Sequence, residues 1–147
     1  MHIKPSFLRK YIGIYIIYKK MTHRIEFLKR HNLDTNKSYG LSALAKVSGV
    51  KRKDLQKVYN RGVGAWKTNI KSVRMKGSFE KNVDAPRSAK LTRQQWAMAR
   101  VFAFLNKLDR IKEGKQKRLN QDCDVALDYI TSFECNVAST KKSKLKP

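Results

Sequence analysis

Acidic residues are scarce in this chain. Eleven Asp and Glu stand against 34 Lys and Arg, a formal net charge of +23 over 147 residues. A surplus of that size repels itself and calls for a polyanionic partner. Nucleic acid ranks first, ahead of an anionic membrane or an acidic protein surface. Cysteine is scarce too. Cys123 and Cys135 form neither a disulfide framework nor a C-x-x-C pair, and read as free thiols in a reducing compartment. His2, His23 and His31 lack metal-ligand spacing and read as surface residues. No Ser/His/Asp set and no carboxylate pair with a nearby histidine is present, which argues against an enzyme. Asp122, Asp124 and Asp128 are the only acidic cluster. Carboxylates at a helix N-terminus have a dipole reason to be there, so no metal and no cofactor is assigned.

Long hydrophobic runs are also missing. Tyr11–Tyr18, YIGIYIIY, is eight residues, whereas a spanning helix needs about 20. Basic residues flank it, but no small-residue cleavage site follows. Three readings stay open: a segment that docks on a partner, a surface anchor, or an upstream extension with Met21 as the true start, the last slightly favoured.

What the chain does have is Leu41–Arg61, LSALAKVSGVKRKDLQKVYNR. Leu41, Leu44 and Ala45 are spaced for one short helix, and Leu55, Val58 and Tyr59 for a second. Gly49 lies between them, where a sharp turn needs a residue tolerant of positive φ. Counted from Leu41, a small residue at five, glycine at nine and apolar residues at ten, fifteen and eighteen follow the helix-turn-helix pattern. Position eight, often apolar in that pattern, is Ser48. The free face of the second helix would carry Lys51, Arg52, Lys53, Gln56 and Lys57, with Arg61 beyond. The cations suit phosphates and Gln56 suits a base edge.

Around this pair, Thr22–Leu33 reads as a short amphipathic helix and residues 32–38 as a polar linker. In Asn60–Asn69, Gly62 is expected as a helix C-cap and Gly64 as a point of close backbone approach, with Trp66 a core plug under the following loop. The alternative is a phosphate-binding nest made with Arg61 and Lys67; the spacing is not that of a Walker loop. Residues 70–90, carrying Lys71, Arg74 and Lys76, read as a long basic loop with a short strand near Ser72–Met75. Thr92–Leu108 is expected to be a helix apolar nearly all round, hence central, opened by a Thr92/Gln95 capping box. Arg100 lies within reach of Trp96 for stacking. Arg110–Arg118 reads as a loop. A last helix is expected to hold Val125, Ala126, Tyr129, Ile130 and Phe133, capped by Asp122 or Asp124. Residues 139–147 form a basic tail.

Three blocks carry a family resemblance: VYNRGVGAWKTN at 58–69, LTRQQWAMARVFAFLNKL at 91–108 and LNQDCDVAL at 119–127. Together they resemble an uncharacterised domain family of large eukaryotic DNA viruses and some phages. The basic stretch 70–90 fills a gap that is often short in that family. The resemblance implies a viral, virion-associated setting and assigns no catalytic residue.

These readings amount to a mainly α fold: a helix-turn-helix-like pair packed on a central buried helix, with basic loops and tails. The expected organisation is an N-terminal segment at 1–38, a helical domain at 39–133 and a basic tail at 134–147. The expected function is nucleic-acid binding, DNA foremost, through Lys51, Arg52, Lys53, Gln56, Lys57, Arg61, Lys67, Lys71, Arg74 and Lys76. The alternative is a minor capsid protein touching the genome or its neighbours. Other virion proteins are possible partners; no small-molecule substrate is expected. The expected location is the virion, the host nucleus or a cytoplasmic virus factory.

Overall fold

The computed structural model describes residues 21–136. The apolar run at 11–18 and the tail at 139–147 lie outside them. Among the described residues the fold is built on five helices: α1 His23–Arg30, α2 Leu41–Ser48, α3 Arg52–Thr68, α4 Arg93–Lys112 and α5 Cys123–Ala126. Two short strands, β1 Arg118–Leu119 and β2 Glu134–Cys135, pair in parallel. Among the described residues no helix is long and apolar enough to cross a membrane.

α4 is the centre. Its capping box forms as the sequence implies: Gln95 N donates to Thr92 Oγ1 and Thr92 N donates to Gln95 Oε1. From Val101 to Asn106 every residue is buried, which is what a helix apolar around its circumference requires. The helix runs a turn past Leu108, through Arg110 to Lys112, and Gly114 (φ 75°) begins the exit. α1 brings Phe27 and Leu28 into the same core, with the Phe27 and Phe102 rings 5.7 Å apart. The core therefore reaches back across the polar turn at 32–38. Asn106, fully buried, donates from Nδ2 to the His23 carbonyl at 2.8 Å and so ties the start of α1 to α4.

α2 and α3 form the helix-turn-helix-like pair. Gly49 adopts φ 78° and Val50 N donates to Ser48 Oγ, so the polar residue at position eight helps to fold the turn. Leu44, Val50, Leu55 and Val58 are all buried. α3 then continues for 17 residues, straight through Gly62 and Gly64. Gly62 is not a C-cap. A Cβ there would lie 2.7 Å from Ala97 Cα, so glycine is what lets α3 lie against the backbone of α4. Gly64, expected at the close approach, has nothing within 4 Å of its missing Cβ. Because both glycines are helical, the loop needed for a phosphate nest does not exist.

Residues 70–90 form a loop closed on itself. Lys76 N donates to Ala89 O and Leu91 N to Arg74 O. The expected strand is reduced to a single bridge, Met75 to Lys90, beside a 3-10 turn at Ile70–Ser72. Trp66 plugs the loop as expected, donating from Nε1 to Leu91 O at 2.9 Å. The last helix is shorter than its apolar spacing suggests. α5 ends at Ala126, and Phe133 lies beyond it. Cys123 and Cys135 are joined in a disulfide, which corrects the free-thiol reading. β2 is thereby tied to α5, so the fold extends past residue 133.

Two outcomes follow. Gly62→Val should lower stability by about 1–3 kcal/mol through overpacking against Ala97. Gly64→Ala should leave it unchanged or raise it by up to about 1 kcal/mol, as expected for an open helical site. Urea unfolding of both variants checks the pair, and equal effects would place the close approach elsewhere. Reduction of the disulfide closing the 12-residue separation should cost about 2–4 kcal/mol, read as a lower unfolding midpoint in dithiothreitol.

Candidate nucleic-acid interface

Between Thr35 and Phe79 the chain carries eleven lysines and arginines and one acidic residue, Asp54. The fold sorts these charges. Residues three or four apart share a helix face, so Lys53, Gln56, Lys57, Asn60, Gly64 and Lys67 make one stripe along α3. All are exposed except Gln56, which is half-buried. Lys51 and Arg52, both exposed, extend it past the N-terminus of the helix. Asp54 faces the other way. It is buried and accepts a hydrogen bond from Tyr129 Oη, which in turn accepts from Lys51 N at 2.9 Å. Lys51 has no side-chain acceptor to cap α3, and the tyrosine hydroxyl supplies one. Burial, then the Asp54 carboxylate, push the Tyr129 phenol above its ordinary pKa.

Arg61 does not belong to this stripe. It lies two turns beyond Asp54, on the flank turned toward α5. Its guanidinium meets Asp124 (Nη1 to Oδ1, 2.7 Å) and Asp122 (Nη1 to Oδ1, 3.1 Å). Arg100 meets Asp122 from α4 with two bonds, Nε to Oδ2 at 3.0 Å and Nη2 to Oδ1 at 2.8 Å. The Asp122 side chain is fully buried, so it must be paired to remain charged there. Two guanidiniums and two carboxylates make the cluster neutral overall. This corrects two expectations: Arg61 is not placed to hold a phosphate, and Arg100 turns to Asp122 rather than to Trp96. The oxygens of Asp122 and Asp124 are taken by arginines. Asp122 sits at the N-cap of α5 at φ 57° without a capping side-chain bond, its carboxylate being held by the arginines instead. Among the described residues no group of three or more His, Cys, Asp or Glu is placed to hold a metal ion.

The loop residues divide as well. Lys71 and Lys76 are exposed. Arg74 is half-buried, donates to the Ser78 carbonyl at 2.9 Å and lies 5.5 Å from the Phe79 ring, so it serves the loop. Lys90 is buried, with Nζ on the Ile70 carbonyl. At the far end of α4 a second ion network joins α1: Arg30 with Glu26 and Glu113, Arg110 with Glu26, and His31 with Asp109 at 2.8 Å. His31 is thus a packing contact rather than a free surface residue. Beside α1 and α4 the loop borders an apolar groove of about 820 Å³ lined by Met21, Tyr39, Phe79, Trp96, Met98 and Phe102 among others.

Asn60 is the one polar side chain of this stripe that the sequence reading left out. The available signal was its place four residues after Gln56, on the same face as Lys53 and Lys57.

Removing one partner of the buried cluster should be severe. Asp122→Ala or Arg100→Met should cost about 3–5 kcal/mol, the scale for an uncompensated buried charge, read by urea unfolding. Asp124 is held below its ordinary pKa, chiefly by the hydrogen bond from Arg61. Its contribution is therefore present above the unfolded value of about 3.9 and is lost as pH falls through the lower folded value. Asp124→Asn should flatten the stability profile in that acid window and leave its shape near neutrality unchanged.

No curated protein and no solved structure matches this chain. A family model does match, over residues 14–128, from within the apolar run to two residues past α5. On that match, the chain belongs to DUF5824, a family of unknown function.

Proposed function

We propose that this chain is a small basic nucleic-acid-binding protein that lays α3 on duplex DNA. The observation that carries the reading is the exposed cationic stripe on the second helix of the helix-turn-helix-like pair, with Asp54 turned inward away from it. Lys51, Arg52, Lys53 and Lys57 would contact phosphates, and Lys67, Lys71 and Lys76 would add affinity independent of sequence. Lys51, Arg52 and Lys53 also crowd the positive end of the α3 dipole, where cations are disfavoured and an anion is favoured. The role is binding rather than catalysis. The motif resemblance supports a viral setting, with the protein in the virion or wherever the viral genome is handled. A second reading, a minor structural protein of the capsid, is favoured by the apolar groove, where Phe79 is 54% exposed and a neighbouring protein would find a hold. A fixed copy number in shells emptied of DNA supports that second reading, and loss together with the DNA supports the first.

The test is duplex binding across a salt series. Replacing Lys53, Lys57 and Lys67 with Gln should flatten the log–log salt dependence by about 0.9 for each phosphate that is no longer engaged, with the unfolding midpoint unchanged. An unaltered slope would remove α3 from the interface.

A further inference from the structure

Two side chains in the α3 stripe are uncharged amides, Gln56 and Asn60. They are one turn apart, and Gln56 Nε2 donates to Asn60 Oδ1 at 2.9 Å. A surface amide pair by itself only steadies a helix. This one stands among cations: Lys53 precedes it, Lys57 lies between the two amides along the helix, and Lys67 follows. Gly64 follows one turn after Asn60, with open space where a side chain would be. Apart from Lys57, the stripe between Lys53 and Lys67 is uncharged, and it is of low relief at Gly64. A helix laid in the major groove meets phosphates with its cations and base edges with uncharged polar side chains such as these two.

The internal bond fixes what the pair offers outward. With Gln56 Nε2 given to Asn60 Oδ1, the Gln56 carbonyl and the Asn60 amino group remain. If both amides turn over, the Gln56 amino group and the Asn60 carbonyl remain. Either way the pair presents one acceptor beside one donor. In the major groove adenine presents N6–H as a donor beside N7 as an acceptor, which is the complement. Guanine presents two acceptors and cytosine a lone donor. We propose that Gln56 and Asn60 together read an adenine in the major groove and so give this protein a sequence preference. The proposal rests on α3 being the DNA-facing helix.

The experiment selects binders from a randomised duplex pool with the full chain, then compares each preferred duplex with one in which the enriched pair is changed. The expected result is an A·T pair enriched at a fixed position, with a change to G·C weakening binding about tenfold. The double variant Gln56→Ala, Asn60→Ala should lose that discrimination while keeping its affinity for random duplex and its salt slope. Both side chains are on the helix surface, and unfolding curves confirm that the variant folds. Binding without any enriched base, or a preference that survives the double substitution, would overturn the proposal and leave DNA binding standing. Failure to retain any duplex would overturn both.

Discussion

A buried carboxylate between two guanidiniums holds this fold in register. Asp122, fully buried, is met by Arg100 from α4 and Arg61 from α3. A charge in that position is tolerable only when every oxygen is paired, so the segment after α4 is brought back across both long helices. The same crossing needs Gly62, because α3 and α4 approach until a Cβ would strike Ala97. The blocks that carry the family resemblance are largely the parts of this joint: Arg61 and Gly62 in the first, Ala97 and Arg100 in the second, Asp122 and Asp124 in the third.

That joint also shapes the surface. It removes Arg61 and Arg100 from the pool of free cations, and the α1–α4 network similarly engages Arg30 and Arg110. What remains along α3 without a carboxylate partner among the described residues is a stripe of lysines around two amides. The functional reading thus depends on which charges the fold has already neutralised, and net charge alone cannot give that.

The architecture was legible because its signals are local. The capping box at Thr92, the apolar circumference of α4 and the glycine at position nine of the helix pair each act within a few residues. Three errors share one cause. Gly62 reads as a helix stop when only its neighbours in sequence are considered; its meaning comes from Ala97, 35 positions on in the chain. Arg61 reads as a phosphate ligand until Asp122 and Asp124 are brought against it. Cys123 and Cys135 read as separate thiols until β1 and β2 pair and set them side by side. Of the expected interface, Lys51, Arg52, Lys53, Lys57, Lys67, Lys71 and Lys76 are exposed, Gln56 is half-buried, and Arg61 and Arg74 are engaged elsewhere in the fold.

The most direct test of α3 as the nucleic-acid-facing element is a backbone amide NMR titration of the full chain with a short DNA duplex. The account predicts shift changes concentrated from Lys51 through Lys67, with α1 and the interior of α4 unmoved. Changes confined to the loop at 70–90, or spread evenly over every exposed lysine, would contradict it and leave bulk charge as the binding agent.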